Sequence, residues 1–517
     1  MNKAPGHEIC FGLKRNRKMK NTANPIRQKW MGRRSPALTI LLVSAVLSAC
    51  MVGPNFQKPA TTLPAEWSGP TVAPQPVTAA EAELTHWWTL FDDPILVVLV
   101  ESAVRSNLEL KQAEARIRQA RAARGVVAAG RGPTGDATGT YQRSRTASAG
   151  SGQSKGDIAN QYQAGFDAGW ELDFFGGVRR AVEAADADLQ AALETRRDVL
   201  VTLTAEVARN YIDLRAFQQR IAIARQNLAT QKHSAALTRR RFQGGFAGGL
   251  DVANADAQVA TTASQLPLLE SAARQSIYSL SVLLGMDPAA LLPELSPAEA
   301  IPAAPPPPPP GVPADLLRRR PDIRRAEAEI HADTARIGVA TADLFPKFTI
   351  FGAAGVRSTD FSSWLTWDGR VWSFGPSVSW NVFDMGRTRS NIELQQVLQD
   401  QSLIVYRQTV LNALQEVENA LIASAKEAEH RRALVEAVAA NRKAVDLATM
   451  LYTQGHTDFL NVLDAQRSLY ASEDALVQST GSVSTNLVAL FKALGGGWRE
   501  APEQKATARL DSKDLSD

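Results

Sequence analysis

Residues 178–243 run without a glycine or a proline, closed by Gly177 on one side and Gly244-Gly245 on the other. As a single α-helix this stretch would measure roughly 100 Å, several times the length of an ordinary globular helix. Gln190, Glu206, Arg209 and Gln218 keep it too polar for a membrane span. Leu193, Leu200, Val207, Leu214, Ile221 and Leu228 share one heptad position. Leu203 and Phe217 fall on the intervening position, which Arg196 and Asn210 interrupt. A period near 3.5 asks for a neighbouring helix along the whole length.

A second pattern has period two. Tyr162, Ala164, Phe166, Ala168, Trp170, Leu172 and Phe174 alternate with Gln163, Gly165, Asp167, Gly169, Glu171 and Asp173. This predicts a strand with one aromatic and one polar face. Residues 135–148 supply its hairpin partner across a Gly/Ser-rich loop. Further on, Trp372, Phe374, Val378, Trp380 and Val382 alternate with Ser373, Gly375, Ser377, Ser379 and Asn381, and the partner spans about 348–357. In a soluble sandwich the aromatic face would be core. In a membrane barrel it would meet lipid, and the polar face would line a wet lumen. A barrel that spans a membrane needs about eight strands. Four strands per chain therefore require chains to pool them, and three chains would give twelve.

Both patterns occur twice. A shift of 210 superposes Trp170 on Trp380, Gly176 on Gly386, Glu206-Val207 on Glu416-Val417, Gly245 on Gly455 and Leu284-Gly285 on Leu494-Gly495. Upstream, a shift of 213 superposes Ala113-Glu114-Ala115 on Ala326-Glu327-Ala328 and Pro133 on Pro346. The chain is a tandem duplication, with repeat 1 over 95–285 and repeat 2 over 319–498. The period is far too long for a solenoid. Each repeat reads as helix, hairpin, long helix and return helix. Asp93 and Pro94 cap the first helix, which extends to about Ala129 with a bend near Asn107. Residues 286–318 form a linker whose Pro-rich part, 297–313, reads as a stiff polyproline II spacer rather than a folded element. Residues 50–94 read as extended, and 499–517 as a polar disordered tail.

Residues 1–49 read as a signal peptide with a long basic leader, and Met19 and Met31 are alternative starts. Ala37 to Leu47 is apolar but too short to span a membrane. Leu47-Ser48-Ala49-Cys50 matches a bacterial lipobox, which makes Cys50 a lipidation site; a buried free cysteine is the plainer alternative. Removing 1–49 takes away nine net positive charges, so the formal +4 becomes −5 and a basic surface seeking nucleic acid is excluded.

The motifs add up to a family. Cys50 followed by Val52-Gly53-Pro54-Asn55-Phe56, Arg319-Arg320-Pro321-Asp322-Ile323, Leu344-Phe345-Pro346, Val462-Leu463-Asp464-Ala465-Gln466-Arg467-Ser468-Leu469 and Lys492-Ala493-Leu494-Gly495-Gly496-Gly497-Trp498 resemble outer-membrane efflux channels of the TolC/OprM type, in the NodT-like lipoprotein branch. The resemblance covers essentially the whole mature chain. Asn107-Leu108-Glu109-Leu110 departs from the usual Asn-Pro-Asp-Leu, and Arg131 stands where an apolar residue commonly precedes the proline. The implied fold is α+β: a trimeric twelve-stranded β-barrel in the outer membrane, continuous with a long periplasmic helical barrel. The implied partners are two further copies, a periplasmic adaptor, an inner-membrane transporter of the RND type and outer-membrane lipid. No cofactor is implied beyond the diacylglycerol and N-acyl chain on Cys50.

The resemblance also implies a gate at the periplasmic tip, where Leu460 forms an apolar collar and Asp464 a ring of carboxylates. Their counterparts in repeat 1 are Leu250 and Asn254, while Asp251 lies opposite Asn461. The plainer reading of Asp464 is a cap or bridge within the coiled coil. The six histidines are scattered with no His-x-x-x-His pair, and the loop 244–249 lacks the Lys-Ser/Thr of a phosphate cradle, so the chain does not read as an enzyme. The expected function is an exit duct for small molecules such as drugs. The alternatives are a duct for secreted proteins or metabolites, and a lipid-anchored coiled-coil scaffold.

Overall fold

The computed structural model describes residues 51–68, 84–145 and 158–499. The leader over 1–49, Cys50 and the tail from 500 onward lie outside the described residues. The chain divides into Met1–Cys50 and Met51–Asp517, and the described elements all belong to the second unit.

Helices α1 (Pro94–Ser106) and α2 (Leu108–Ala129) lead into strands β1 (Thr134–Arg145) and β2 (Ile158–Leu172). Helix α3 (Gly177–Gln243) runs for 67 residues, and α4 (Gly249–Leu283) returns along it for 35. Repeat 2 follows the same order with α5 (Pro321–Ala342), β3 (Lys347–Ser358), β4 (Arg370–Ser379), α6 (Arg387–Thr453) and α7 (Phe459–Ala493). Here α6 again has 67 residues and α7 again 35, and the upstream helices α2 and α5 have 22 each. The duplication read from the sequence is thus also a duplication of these helix lengths.

The helices lie side by side as four staves. Two of them, α3 and α6, are continuous. The other two are spliced end to end from a strand-side piece and a turn-side piece: α2 with α4 beside α3, and α5 with α7 between α3 and α6. A buried side chain bridges each splice. Asn107 is buried, accepts the Leu110 N–H at 2.9 Å to cap α2, and donates its Nδ2 to the Leu283 carbonyl that ends α4. Its counterpart under the 213 shift is Arg320, which donates to the Ala493 carbonyl at 3.1 Å and pairs with Asp322 and Glu416 at 2.7 Å. Both splices therefore satisfy helix-end groups that would otherwise be orphaned.

The core sits at mid-height around the splices. Val207, Leu214, Ile212, Phe491 and Leu490 are buried there, and Trp87 stacks on Phe491 at 5.2 Å. The heptad residues Val207 and Leu214 therefore face a partner helix, as the 3.5 period required. Tyr211 donates its hydroxyl to Asp93, the N-cap of α1, at 3.0 Å. Burial raises the pKa of that hydroxyl well above the usual tyrosine value, so it stays protonated as a donor.

Two expectations need correction. Residues 50–94 are not extended throughout: Trp87–Phe91 forms a 3₁₀ turn that puts Trp87, Trp88 and Phe91 into the core. Three large aromatic rings bury more apolar area than an extended, solvated strand could. The stretch 297–313 contains no regular element before Pro313, but it is not a free spacer. Pro302, Pro308 and Pro310 are buried. Buried Arg215 grips the Pro297 carbonyl at 2.8 Å, and Trp67 donates to the Gly311 carbonyl at 2.9 Å. The prolines set the conformation, and the helices provide the surface against which it is packed.

The sheet is antiparallel in the order β1-β2-β3-β4. The pairing of β2 with β3, with Phe166 opposite Ala354 and Trp170 opposite Ile350, joins the hairpins of the two repeats. Directly opposite residues share a face. Tyr162, Phe166, Trp170, Ile350, Phe374 and Trp372 therefore lie on one face, and Asp136, Asp167, Gln163, Thr349 and Ser377 on the other. No helix among the described residues is long and apolar enough to cross a membrane.

Candidate functional site: the strand face, the anchor and the tip

The apolar face of the sheet ends in aromatic side chains on both sides. At the helix end, Trp170 donates its indole N–H to the Arg131 carbonyl at 2.9 Å, and Trp380 donates to the Leu344 carbonyl at 3.0 Å. These are equivalent bonds in the two repeats. At the far end, Tyr141 packs on Tyr162 with ring centroids 4.9 Å apart, and Phe361 packs on Tyr162 at 5.5 Å. From Trp170 to Tyr162 the strand covers about 27 Å. Two aromatic belts around an apolar band are the pattern of a strand set in a bilayer. Between the belts, Phe166, Phe374 and Trp372 are each about three-quarters exposed or more in the single chain.

The segment after Cys50 is fastened at the foot of the sheet. Val52 donates its N–H to the Phe175 carbonyl at 3.1 Å. Arg180, 1% exposed, donates to the Val52 carbonyl at 3.2 Å and to Asn55 Oδ1 at 2.7 Å, and it pairs with Glu183 at 2.8 Å. Glycines make room for this. Gly176 has φ +80°, and a Cβ there would lie 2.5 Å from Met51; a Cβ on Gly338 would strike the Arg180 side chain. The motif Val52-Gly53-Pro54-Asn55 is therefore a docking sequence for Arg180.

The opposite end of the staves is the tip. Equivalent glycines, Gly245 (φ +79°) and Gly455 (φ +80°), turn the two helix pairs. Along the first turns of α7, Phe459, Val462, Leu463 and Gln466 are buried, while Leu460, Asn461, Asp464 and Arg467 are exposed. Tyr452, Ala235 and Ala255 complete the buried cluster. Leu460 and Asp464 thus share one exposed stripe at i, i+4 spacing. The sequence reading missed the next member of the stripe, Arg467, although its i+3 distance from Asp464 was a usable signal. Arg467 approaches Asp464 at 3.9 Å and donates its Nε to Gln258 of α4 at 2.6 Å, which ties the two helix pairs together. Asn461 donates to Thr457 Oγ1 at 2.6 Å. Asp251 accepts the Gly248 N–H at 3.1 Å, so its carboxylate already caps α4. Leu250 is 73% exposed, more than Leu460 at 52%.

The tip is glued differently from the core. Gln466 donates to Ser234 at 2.9 Å, and Arg241 donates to the Tyr452 carbonyl at 2.8 Å while lying over the Tyr452 ring. Buried Gln231, Thr238, Gln258 and Thr262 line this half of the seam. Such bonds contribute about 0.5–1.5 kcal/mol each and water can replace them, whereas the fully buried aliphatic seam above has no such exchange partner.

Both edges of the stave layer are open. Val397, Ile404 and Leu411 repeat every seven residues along α6 and are exposed, as are Leu108, Val126 and Leu268 on the opposite edge. The heptad stripe left uncovered on α6 asks for a further helix beside it.

A family model described as outer membrane efflux protein matches residues 99–286 and 312–496. Nodulation protein T of Rhizobium leguminosarum bv. trifolii is 32% identical, over 88% of this chain and 96% of its own length. Outer membrane protein OprJ of Pseudomonas aeruginosa is 33% identical, over 90% of this chain and 97% of its own. Among solved structures, the outer-membrane channel OprN superposes with a TM-score of 0.79 at 37% identity, covering 87% of this chain and all of that one. CusC superposes with a TM-score of 0.77 at 27% identity, over 87% of this chain and all of that one.

Proposed function

The chain belongs to the outer membrane efflux protein family, and we propose that it is a passive exit duct gated at its tip by Leu460 and Asp464. It is a homotrimer in the outer membrane, and it takes cargo from an inner-membrane transporter through a periplasmic adaptor. The family is one of channels rather than of enzymes. The observation that carries this reading is the matched openness of the two layers. A four-stranded sheet with free edges continues into four staves with an uncovered apolar heptad stripe on one outer edge and exposed apolar side chains on the other. Three such wedges close a barrel of twelve strands and a tunnel of twelve staves. A lipid-anchored scaffold would have no use for a strand face that is polar on one side and aromatic on the other.

At the tip, the outward stripe Leu460, Asp464 and Arg467 faces the tunnel axis, and the Arg467–Gln258 bond holds α7 against α4. An exposed ion pair such as Asp464–Arg467 contributes about 0.2–1 kcal/mol, and the polar seam behind it is replaceable by water. The tip is therefore the part of the tunnel that can move without disturbing the core. In a planar bilayer, Leu460→Ala and Asp464→Ala should each pass more current than wild type. Equal currents would remove both residues from the gate. The cargo is small molecules, admitted by the pump and passed by a polar lumen.

Cys50 carries the lipid. Met51, the residue that follows it, packs at Gly176 at the foot of the sheet. Mass spectrometry of the mature protein should find residue 50 onward with a diacylglycerol and an N-acyl chain, and Cys50→Ala should lose that mass while staying in the membrane. A wild-type mass equal to the bare chain would refute lipidation.

A further inference from the structure

The outward face of the sheet carries charge in one place only. In the strand registers every residue sharing a face with Phe166 and Trp170 is uncharged, except Arg143 and Arg145 on β1 and Arg370 on β4. All three lie toward the end of the sheet away from the helices. Every acidic strand residue (Asp136, Asp167 and Glu171) is on the opposite face. Arg143 and Arg145 are exposed and form no ion pair among the described residues. Arg370 donates its Nε to the Trp367 carbonyl at 2.8 Å and lies over the Trp367 ring.

The loop between β3 and β4 lies back over the same face. Phe361 packs on Tyr162 at 5.5 Å and on Trp364 at 6.1 Å. Phe361, Leu365 and Trp367 are 68–79% exposed. A polar extracellular loop would not present three large apolar side chains beside the lipid-facing band. Apolar side chains next to unpaired guanidinium groups suit a ligand with an acyl region and an anionic head. Arginine fits phosphate in particular, through its fork of donors.

We propose that this rim binds a phosphate-bearing lipid of the outer leaflet, with Arg143 and Arg145 on the head group and Phe361, Leu365 and Trp367 against its acyl chains. The inference rests on the reading of the aromatic face as the lipid-facing one. It gives the barrel a headgroup contact at the outer leaflet, opposite the acyl anchor that Cys50 supplies at the inner one.

The test uses the mature trimer purified in detergent and exchanged into vesicles of zwitterionic phospholipid doped with a bis-phosphorylated glycolipid or with its dephosphorylated form. Native mass spectrometry counts the glycolipids retained per trimer. Wild type should retain the phosphorylated form and release the dephosphorylated one. Arg143→Gln with Arg145→Gln should weaken retention about twenty-five-fold, taking roughly fivefold for each arginine at an anionic lipid surface. Arg143→Lys with Arg145→Lys should keep most of it, which separates charge loss from misfolding. Free inorganic phosphate should not displace the lipid, because it lacks the acyl contacts. Retention unchanged in the glutamine variant, equal retention of the dephosphorylated form, or displacement by free phosphate would each overturn the proposal. Quenching of tryptophan fluorescence by brominated lipid is read in parallel. Absence of quenching in wild type would overturn the lipid-facing reading itself, and the rim proposal with it.

Discussion

Arg320→Ala should lower the stability of the folded chain by about 3–5 kcal/mol, the usual cost of removing one partner from a buried charged network. Arg320 is 8% exposed, and its guanidinium serves three groups at once: Asp322, Glu416 and the carbonyl of Ala493. Without it, Asp322 loses the guanidinium it pairs with, and the last turn of α7 loses a donor that joins it to α5. Asn107 does the same work in repeat 1 with neutral chemistry, so Asn107→Ala should cost only about 0.5–2 kcal/mol, the range for a lost cap. Thermal unfolding of the purified channel, followed by circular dichroism, compares the two directly. If Arg320→Ala unfolds no earlier than Asn107→Ala, then Arg320 is not what holds the splice.

The contrast between these two joints shows where the sequence was legible. The long helices were readable because nothing breaks them and their apolar positions repeat every seven residues. The hairpins were readable because aromatic and polar residues alternate. The offset between the repeats changes from 213 to 210 between Pro133 and Trp170, within the hairpin, so no long helix is interrupted by it. What could not be read was which polar residues go inside. Arg180, Arg215 and Arg320 resemble surface arginines in composition, and their burial depends on carbonyls supplied from far along the chain. The same holds for the stretch around Trp87, whose ring stacks on Phe491, some four hundred residues away. At the tip, the outward stripe of Leu460 and Asp464 follows from helical spacing, whereas the bond from Arg467 to Gln258 joins two helices whose register only the fold sets.

Gly355→Val should prevent the barrel from forming. Gly355 faces Gly165 across the β2–β3 pairing, the seam that joins the hairpins of the two repeats. A Cβ at Gly355 would lie 2.4 Å from the Ala164 carbonyl oxygen and 2.7 Å from the Gly165 Cα. Both are backbone atoms, so no side chain can rotate away and the strands themselves must part. A strand parted from its neighbour in a bilayer leaves backbone N–H and C=O groups unpaired, at a cost of several kcal/mol each. Because every chain contributes one such seam, a trimer would carry the defect three times over. Gly352→Val is the control. It lies three residues away on the same strand, and its Cβ would meet nothing nearer than the Phe374 ring at 3.8 Å, an ordinary contact. The measurement is the yield of heat-resistant trimer from outer-membrane extracts, with wild type, Gly352→Val and Gly355→Val run together. The expectation is near-normal trimer for Gly352→Val and almost none for Gly355→Val. A normal yield of Gly355→Val would mean that β2 and β3 are not bound this closely in the assembled channel, and that the two repeats close their hairpins by a different pairing.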